Sequence, residues 1–392
     1  MAKILIVVPP YFGHINPTLG VGAALLARGH EVTWLGLTEL PLSTFPQGAS
    51  YEYPKEFHPH SAHIASIIAS QDEAIKYSAN RMIKWAFETI WLPYHEIMKP
   101  LLPSILARIK PDVILHDEGL IAVPIAAHLL KIPYATSISS APGLHFPEAE
   151  VLLPEDARWL KDAMEKICIS YGQHVSTKIL NSPTTNIVYT VNALLLEHTF
   201  GEHYHFIGPA LYGRINSSEF DWSQISLQRK TIYISTGTHL DNLKHEFYKK
   251  VVDAFAGENI NVLIAADPNL FEYWPDNFIP MKFWPQLDVL NRVDAVISHG
   301  GFNTINESLY YGKPILVVPM AVDQFGNALL VEQSGCGLRL RYKRLSALLM
   351  REAMQTLLNE SHYKVNAEII MKQMRESGGA DKAAALILAQ LT

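Results

Sequence analysis

The chain has 392 residues, of which 48% are hydrophobic and 18% charged, with a net charge of −6 and two cysteines. That length exceeds one ordinary core and suits two domains of about 200 residues each. The composition excludes a disordered chain, the acidic balance without a Lys/Arg run argues against a nucleic-acid partner, and the distant Cys168 and Cys336 offer neither a disulfide framework nor a zinc-like spacing, which points to a reducing compartment.

The opening apolar run Ile4–Val8 is too short for a secretory signal and breaks at Pro9-Pro10, so it reads as a buried parallel strand. Asn16-Pro17 then reads as a helix N-cap followed by proline at the first helical position. Leu19, Ala23, Leu26 and Ala27 give that helix an apolar face, and Gly29 ends it. Glu31–Leu35 follows as a second strand. Further βαβ units are predicted from a strand at Val113–Leu115, a helix from about Gly119 and a strand at Tyr134–Ser137. The segment Phe57 to Leu106 predicts two or three inserted helices, with Trp85, Phe87, Trp91 and Tyr94 as their core, and residues 155–175 predict one more.

The Gly-Pro break at Gly208-Pro209 and the polar stretch Gly213 to Lys230 mark an interdomain linker. The pattern then restarts, with strands at Thr231–Ser235, Asn261–Ala265, Ala295–Ser298 and Ile315–Val318 and helices at Leu243–Phe255 and Thr304–Tyr311. The expected architecture is α/β, two doubly wound domains (1–212 and 213–392) whose parallel sheets face a cleft at the carboxyl ends of their strands. The apolar-faced helix at about 380–392 is expected to turn at Gly378-Gly379. The longest internal apolar stretch, Leu120 to Leu130, contains His128 and is far short of a membrane span. A cytoplasmic location is the expectation.

His14 lies just after the first strand, at the carboxyl edge of its sheet, where a histidine can take a proton from a hydroxyl. Asp117 follows the Val113–Leu115 strand at the same edge and could fix the His14 tautomer and stabilise its charged form. In the second domain, Ser298-His299-Gly300-Gly301-Phe302-Asn303-Thr304 runs from a strand into a helix. Glycines there let backbone approach a ligand, and the helix N-terminus favours an anion such as a diphosphate, with His299 and Thr304 as added donors. Thr236-Gly237-Thr238 forms a similar small-residue turn after the first strand of this domain.

Taken together, Phe283-Trp284-Pro285-Gln286, His299-Gly300-Gly301, Glu307, Gly312-Lys313-Pro314, Pro319 and Asp323-Gln324 resemble the nucleotide-sugar box of family 1 glycosyltransferases, which are GT-B enzymes. The segment from Pro9 to Thr33, with Gly13-His14-Ile15-Asn16-Pro17 and Arg28-Gly29-His30-Glu31, resembles the start of the bacterial members, including macrolide glucosyltransferases. The resemblance implies His14 as base and Asp117 as its partner. It implies Glu307 as acceptor of both ribose hydroxyls, which favours UDP over a deoxyribose carrier, and Asp323-Gln324 as contacts to the sugar, pointing to glucose. Phe283 stands where the family usually has a uracil-stacking tryptophan, and Trp284 where it has Ala or Val, so either ring is a candidate platform. A terminal helix in such proteins usually returns to the first domain.

No two aspartates are spaced as Asp-x-Asp, an arrangement by which other glycosyltransferases hold a divalent metal. The expectation is therefore an inverting, metal-independent transferase with no cofactor, UDP-glucose or a related UDP-sugar being a co-substrate. The acceptor is expected to be small, apolar and hydroxylated: macrolide, phenolic, sterol or carotenoid in type. An apolar rim would allow transient membrane contact, and either a monomer or a homodimer is compatible. Alternatives are a non-catalytic nucleotide-sugar-binding protein, a UDP-sugar epimerase or a lipid-intermediate transferase. His58, His60 and His63 sit in a Pro-containing segment without a carboxylate or cysteine partner and are not expected to bind metal.

Overall fold

The computed structural model describes residues 1–71, 73, 79–141, 154–172, 175–196, 199–213, 220–237, 241–321 and 323–391. The chain divides into two compact units. The first holds Met1–Val191, His198–Arg214 and Ser377–Thr392, and the second Asn192–Glu197 and Ile215–Glu376. The polar stretch read as a linker overlaps residues 214–219, outside the described residues.

In the first unit the strands are β1 (Lys3–Val7), β2 (Glu31–Leu35), β3 (Ser50–Glu52), β4 (Val113–Asp117), β5 (Tyr134–Ile138), β6 (Asn186–Val188) and β7 (Tyr204–Phe206). Among the described residues they form one sheet in the order β3-β2-β1-β4-β5-β6-β7, parallel at every pairing. Burial on both faces explains the unbroken apolar runs: Ile4, Leu5, Ile6, Val113, Ile114 and Leu115 are all buried. The helices are α1 (Phe12–Ala27), α2 (Ser61–Ser70), α3 (Ala79–Ala86), α4 (Leu92–Met98), α5 (Leu102–Ile109), α6 (Ala122–Leu129) and α7 (Pro154–Ile169). A wide π-type turn, Phe87–Trp91, joins α3 to α4.

The start of α1 corrects the sequence reading. The helix begins at Phe12 with Tyr11 as its N-cap, and Pro17 lies inside it. His14 and Ile15 both donate their backbone N–H to the Tyr11 carbonyl at 2.9 Å, closing a turn ahead of the proline. Proline is cheapest at the first helical position, but here one interior hydrogen bond is forgone and the helix is held by packing: Ile15, Val21, Ala24 and Leu25 are buried in the core of this unit. The consequence matters for the site, because His14 sits in the first turn of a helix and not in a preceding loop.

In the second unit β8 (Lys230–Ser235), β9 (Ile260–Ala265), β10 (Phe278–Met281), β11 (Ala295–Ser298), β12 (Ile315–Val317) and β13 (Gly337–Arg339) form a parallel sheet in the order β10-β9-β8-β11-β12-β13 among the described residues. Its helices are α8 (Asp241–Phe255), α9 (Gln286–Arg292), α10 (Phe302–Tyr310), α11 (Gln324–Gln333), α12 (Ala347–Asn359) and α13 (Ser361–Glu376). Both sheets follow the GT-B pattern.

The last helix, α14 (Gly379–Leu388), lies in the first unit. Gly378 and Gly379 both have left-handed φ, +95° and +52°, which lets the chain turn out of α13. Ala380, Ala383, Ala384 and Ile387 then join the core that holds α1 and β1, and Arg28 pairs with Asp381 at 2.7 Å. No helix among the described residues is long and apolar enough to cross a membrane.

Candidate active site

In the first unit, the carboxyl ends of β4 and β5 face the first turn of α1. Asp117, the last residue of β4, is fully buried. Its Oδ2 lies 2.8 Å from His14 Nδ1 and its Oδ1 accepts the Gly119 backbone N–H at 3.0 Å. An ionised carboxylate only accepts, so His14 donates from Nδ1 and carries its lone pair on Nε2. Ser139 Oγ stands 2.9 Å from His14 Nδ1 and donates to Asp117 Oδ2 at 3.3 Å, closing a three-membered cluster. The His14 side chain is 18% exposed against 0% for Asp117, so the pair presents one accessible edge from a buried foundation.

The surroundings are aromatic. Trp91 meets the His14 ring edge-on at 5.7 Å and Tyr11 lies at 5.8 Å. Trp85, Phe87, Trp91 and Tyr94 are all buried, as a helix core should be. Trp91 has a second duty beside His14. A β-carbon at Gly119 would lie 2.4 Å from the Trp91 ring, so only glycine lets that ring close over the β4–α6 turn. Behind Asp117, His116 is held neutral by burial, which lowers its pKa to about 4. It donates from Nδ1 to the Asp117 carbonyl at 3.0 Å and accepts from Thr136 Oγ1 at 3.1 Å.

Glu118, the next residue along, is also buried, and the sequence reading missed it. Its Oε1 accepts from Ser140 Oγ at 2.6 Å and from the Ser140 backbone N–H at 3.3 Å. Burial, reinforced by the adjacent Asp117 carboxylate, pushes its pKa up to about 8. Ser139 and Ser140 directly follow β5 at the same sheet edge, the signal that located His14 and Asp117.

In the second unit, the motif residues gather at the β11–α10 turn. Gly300 has φ +97°, and a side chain there would press on Val317 and the Gln324 carbonyl. The His299 ring lies between Gly237 and Gly301, where added β-carbons would come within 2.8 Å and 2.7 Å of it. Gly301 caps α10, whose first turn carries Asn303 and Thr304 and presents backbone N–H groups at this edge. Glu307, one turn further on, is 3% exposed and its Oε2 accepts from Gln286 Nε2 at 2.6 Å. Gln286, the first residue of α9, therefore meets Glu307 directly.

Three other sequence candidates occupy different surroundings from those their motif suggests. Thr236 turns its hydroxyl toward the core, 2.7 Å from the Tyr248 hydroxyl. Gln324 uses Oε1 to accept from the backbone N–H groups of Met320 and Ala321 at 2.9 and 3.0 Å, contacts in which its amide NH2 takes no part. Trp284 is buried: its Nε1 donates to the Ile264 carbonyl at 3.0 Å and its ring packs edge-on against Phe220. Phe283 is 76% exposed. Asp323 accepts from Asn327 Nδ2 at 2.7 Å, and the same Asn327 nitrogen donates to the Gly300 carbonyl at 3.0 Å. Asn327, missed by the sequence reading, thus ties the acidic residue to the glycine turn. Thr238 lies outside the described residues. Of the histidines read as non-metal, His58 packs its ring on Tyr53 at 4.7 Å.

Residues 209–375 match the family model described as UDP-glucoronosyl and UDP-glucosyl transferase. An uncharacterised UDP-glucosyltransferase of Bacillus subtilis, YojK, is 26% identical, matching 99% of this chain and 97% of its own length. The NDP-glycosyltransferase YjiC of the same organism is 27% identical over 96% of this chain and 94% of its own length. The crystal structure of the glycotransferase of kitacinnamycin aligns with a TM-score of 0.78 at 23% identity, covering 100% of this chain and 99% of that one. The fold is therefore GT-B. The resemblance to family 1 glycosyltransferases is supported along the chain: residues 209–375 match the family model, and the whole length is similar to these glycosyltransferases.

Proposed function

We propose that the protein is an inverting, metal-independent transferase that moves glucose from UDP-glucose onto a hydroxyl of a small, largely apolar acceptor. The observation that carries the reading is the His14–Asp117 contact of 2.8 Å with its carboxylate fully buried. That arrangement is the one a general base needs, because the carboxylate fixes the tautomer and offsets the charge that forms on the ring. In the reaction, His14 Nε2 takes the acceptor proton as the hydroxyl oxygen bonds to the anomeric carbon. The bond from that carbon to the diphosphate oxygen breaks, and UDP departs with the electron pair. Attack from the face opposite the leaving group inverts the anomeric centre.

The donor assignment rests on the second unit. The first turn of α10 and His299 meet the diphosphate, offsetting charge without an Asp-x-Asp motif in the chain. Glu307, with Gln286 beside it, takes the ribose hydroxyls, which supports UDP. Phe283 supplies the exposed ring for uracil, since Trp284 is committed to the core. Asp323 and the Gln324 amide address the sugar hydroxyls. The aromatic surroundings of His14 support an apolar acceptor.

UDP release with UDP-glucose and a panel of hydroxylated aromatics, macrolides and carotenoids tests this reading. The expected result is acceptor-dependent release that survives exhaustive EDTA treatment, with a β-glucoside as product. An α-glucoside, or loss of activity that only a divalent metal restores, contradicts it.

A further inference from the structure

Glu118 has no part in the proton transfer just described, yet it stands next to Asp117 and lines a cavity beside Trp91. The cavity is walled by Ile83, Phe87 and Trp91 on one side and Leu160 and Met164 on another, with Glu118 and Gly119 from the β4–α6 turn. Among the described residues Glu118 is the only ionisable one in this lining; it is 2% exposed, and its Oε2 has no hydrogen-bond partner there. A buried polar atom left without a partner costs about 1–3 kcal/mol, so its presence calls for a ligand group.

The hydrogen bonds assign the two oxygens. Oε1 accepts from the Ser140 backbone N–H, which can only donate, and from the Ser140 hydroxyl. Two ionised carboxylates side by side in a dry environment are unfavourable, and Asp117 is the one committed to His14. Glu118 is then the member that keeps its proton, and the proton sits on Oε2, the oxygen without a partner. An O–H facing an apolar cavity lacks an acceptor lone pair. Among the described lining side chains only the Met164 thioether could accept, and weakly: the α3 and π-turn side is Ile83, Phe87 and Trp91, and the α7 side is Leu160 and Met164. The cavity volume of about 10 Å³ admits a single oxygen atom and not a ring.

We propose that Glu118 is an acceptor-selecting residue: as a neutral carboxylic acid it donates a hydrogen bond from Oε2 to an oxygen substituent on the acceptor. The selected compounds are apolar, flat acceptors that carry a second small oxygen near the hydroxyl presented to His14. This rests on the glycosyltransferase reading above for the word acceptor, but its test requires only binding.

The test titrates two probes of equal size into the protein by calorimetry at neutral pH: 2,3-dihydroxynaphthalene, which offers a second oxygen, and 3-methyl-2-naphthol, which replaces that oxygen with a methyl group. The wild type should bind the diol about tenfold more tightly, the worth of one hydrogen bond to an otherwise unpaired group. Glu118→Gln, which keeps a neutral donor, should retain most of that preference, and Glu118→Leu should abolish it. Circular dichroism and thermal unfolding of both variants control for folding. An infrared difference spectrum of wild type against Glu118→Gln should also show a protonated carboxyl band at neutral pH. Equal affinities for the two probes, no binding of either, a preference that survives in Glu118→Leu, or a missing carboxyl band overturns the proposal. Absence of UDP-glucose turnover while the probe preference holds would instead contradict the transferase reading alone.

Discussion

His14 Nδ1 and Asp117 Oδ2 meet at 2.8 Å across 103 residues of chain. One comes from the first turn of α1 and the other from the last residue of β4, which pairs directly with β1. The parallel pairing places both at one carboxyl edge, so the contact is a product of topology as much as of the two side chains. If Asp117 serves as the charge partner, Asp117→Asn should keep the shape and lower kcat on an alcohol acceptor by about 10²–10⁴-fold. Steady-state kinetics with KM reported separately checks this, and an unchanged kcat would remove Asp117 from the mechanism.

Glu307 is 3% exposed and already holds Gln286 at 2.6 Å. Glu307→Ala should therefore weaken UDP binding by about 2–3 kcal/mol, the range for charge-assisted hydrogen bonds. Calorimetric titration of UDP against both proteins measures it. Equal affinities would place the ribose elsewhere.

The adjacent rings Phe283 and Trp284 should separate cleanly. Phe283→Ala should leave the thermal midpoint nearly unchanged and weaken UDP binding, because its ring is 76% exposed. Trp284→Ala should cost about 3–5 kcal/mol of stability, the range for removing a large aromatic from a core, since its indole is buried and bonded to the Ile264 carbonyl. Denaturant unfolding and UDP titration on both variants decide the assignment.

Glu118 sets a pH dependence of stability. Burial, with Asp117 beside it, raises its folded pKa from 4.5 to about 8. Between those values the folded protein holds a proton that the unfolded chain has released, so this group's contribution to stability falls as pH rises from about 4.5 to about 8 and is level above it. Glu118→Gln removes that term. The stability of the variant relative to wild type should rise across this window by on the order of a few kcal/mol. Urea unfolding at a series of pH values measures the difference, and a flat difference would show that Glu118 titrates normally.

The central strands were legible because burial on both faces leaves unbroken apolar runs, as in β1 and β11. The outer strands β3, β7 and β13 are three residues each and carry no such run, since the sheet edge demands little of their side chains. Asn16-Pro17 misled because local cap chemistry favours a start there, while the packing of Ile15 and the turn closed on Tyr11 extend the helix one turn earlier. His14, Asp117, His299 and Glu307 were legible as residue types at strand ends and in a motif. The different burial of Phe283 and Trp284 was not, because it depends on a distant carbonyl, that of Ile264, which the indole N–H finds on β9. Ser139, Glu118 and Asn327 act through contacts between elements, which spacing along the chain does not encode.

The base itself gives the most direct measurement. His14→Ala should leave UDP-glucose binding intact, because the residues assigned to the donor belong to the second unit. Its kcat on an alcohol acceptor should fall by about 10²–10⁴-fold, the usual worth of general base catalysis. A phenol acidic enough to be ionised at the assay pH needs no base and should recover much of the lost rate. The measurement is kcat for a matched alcohol and acidic phenol with wild type and His14→Ala. Selective loss on the alcohol is the predicted result; turnover of the alcohol at the wild-type rate would contradict the account.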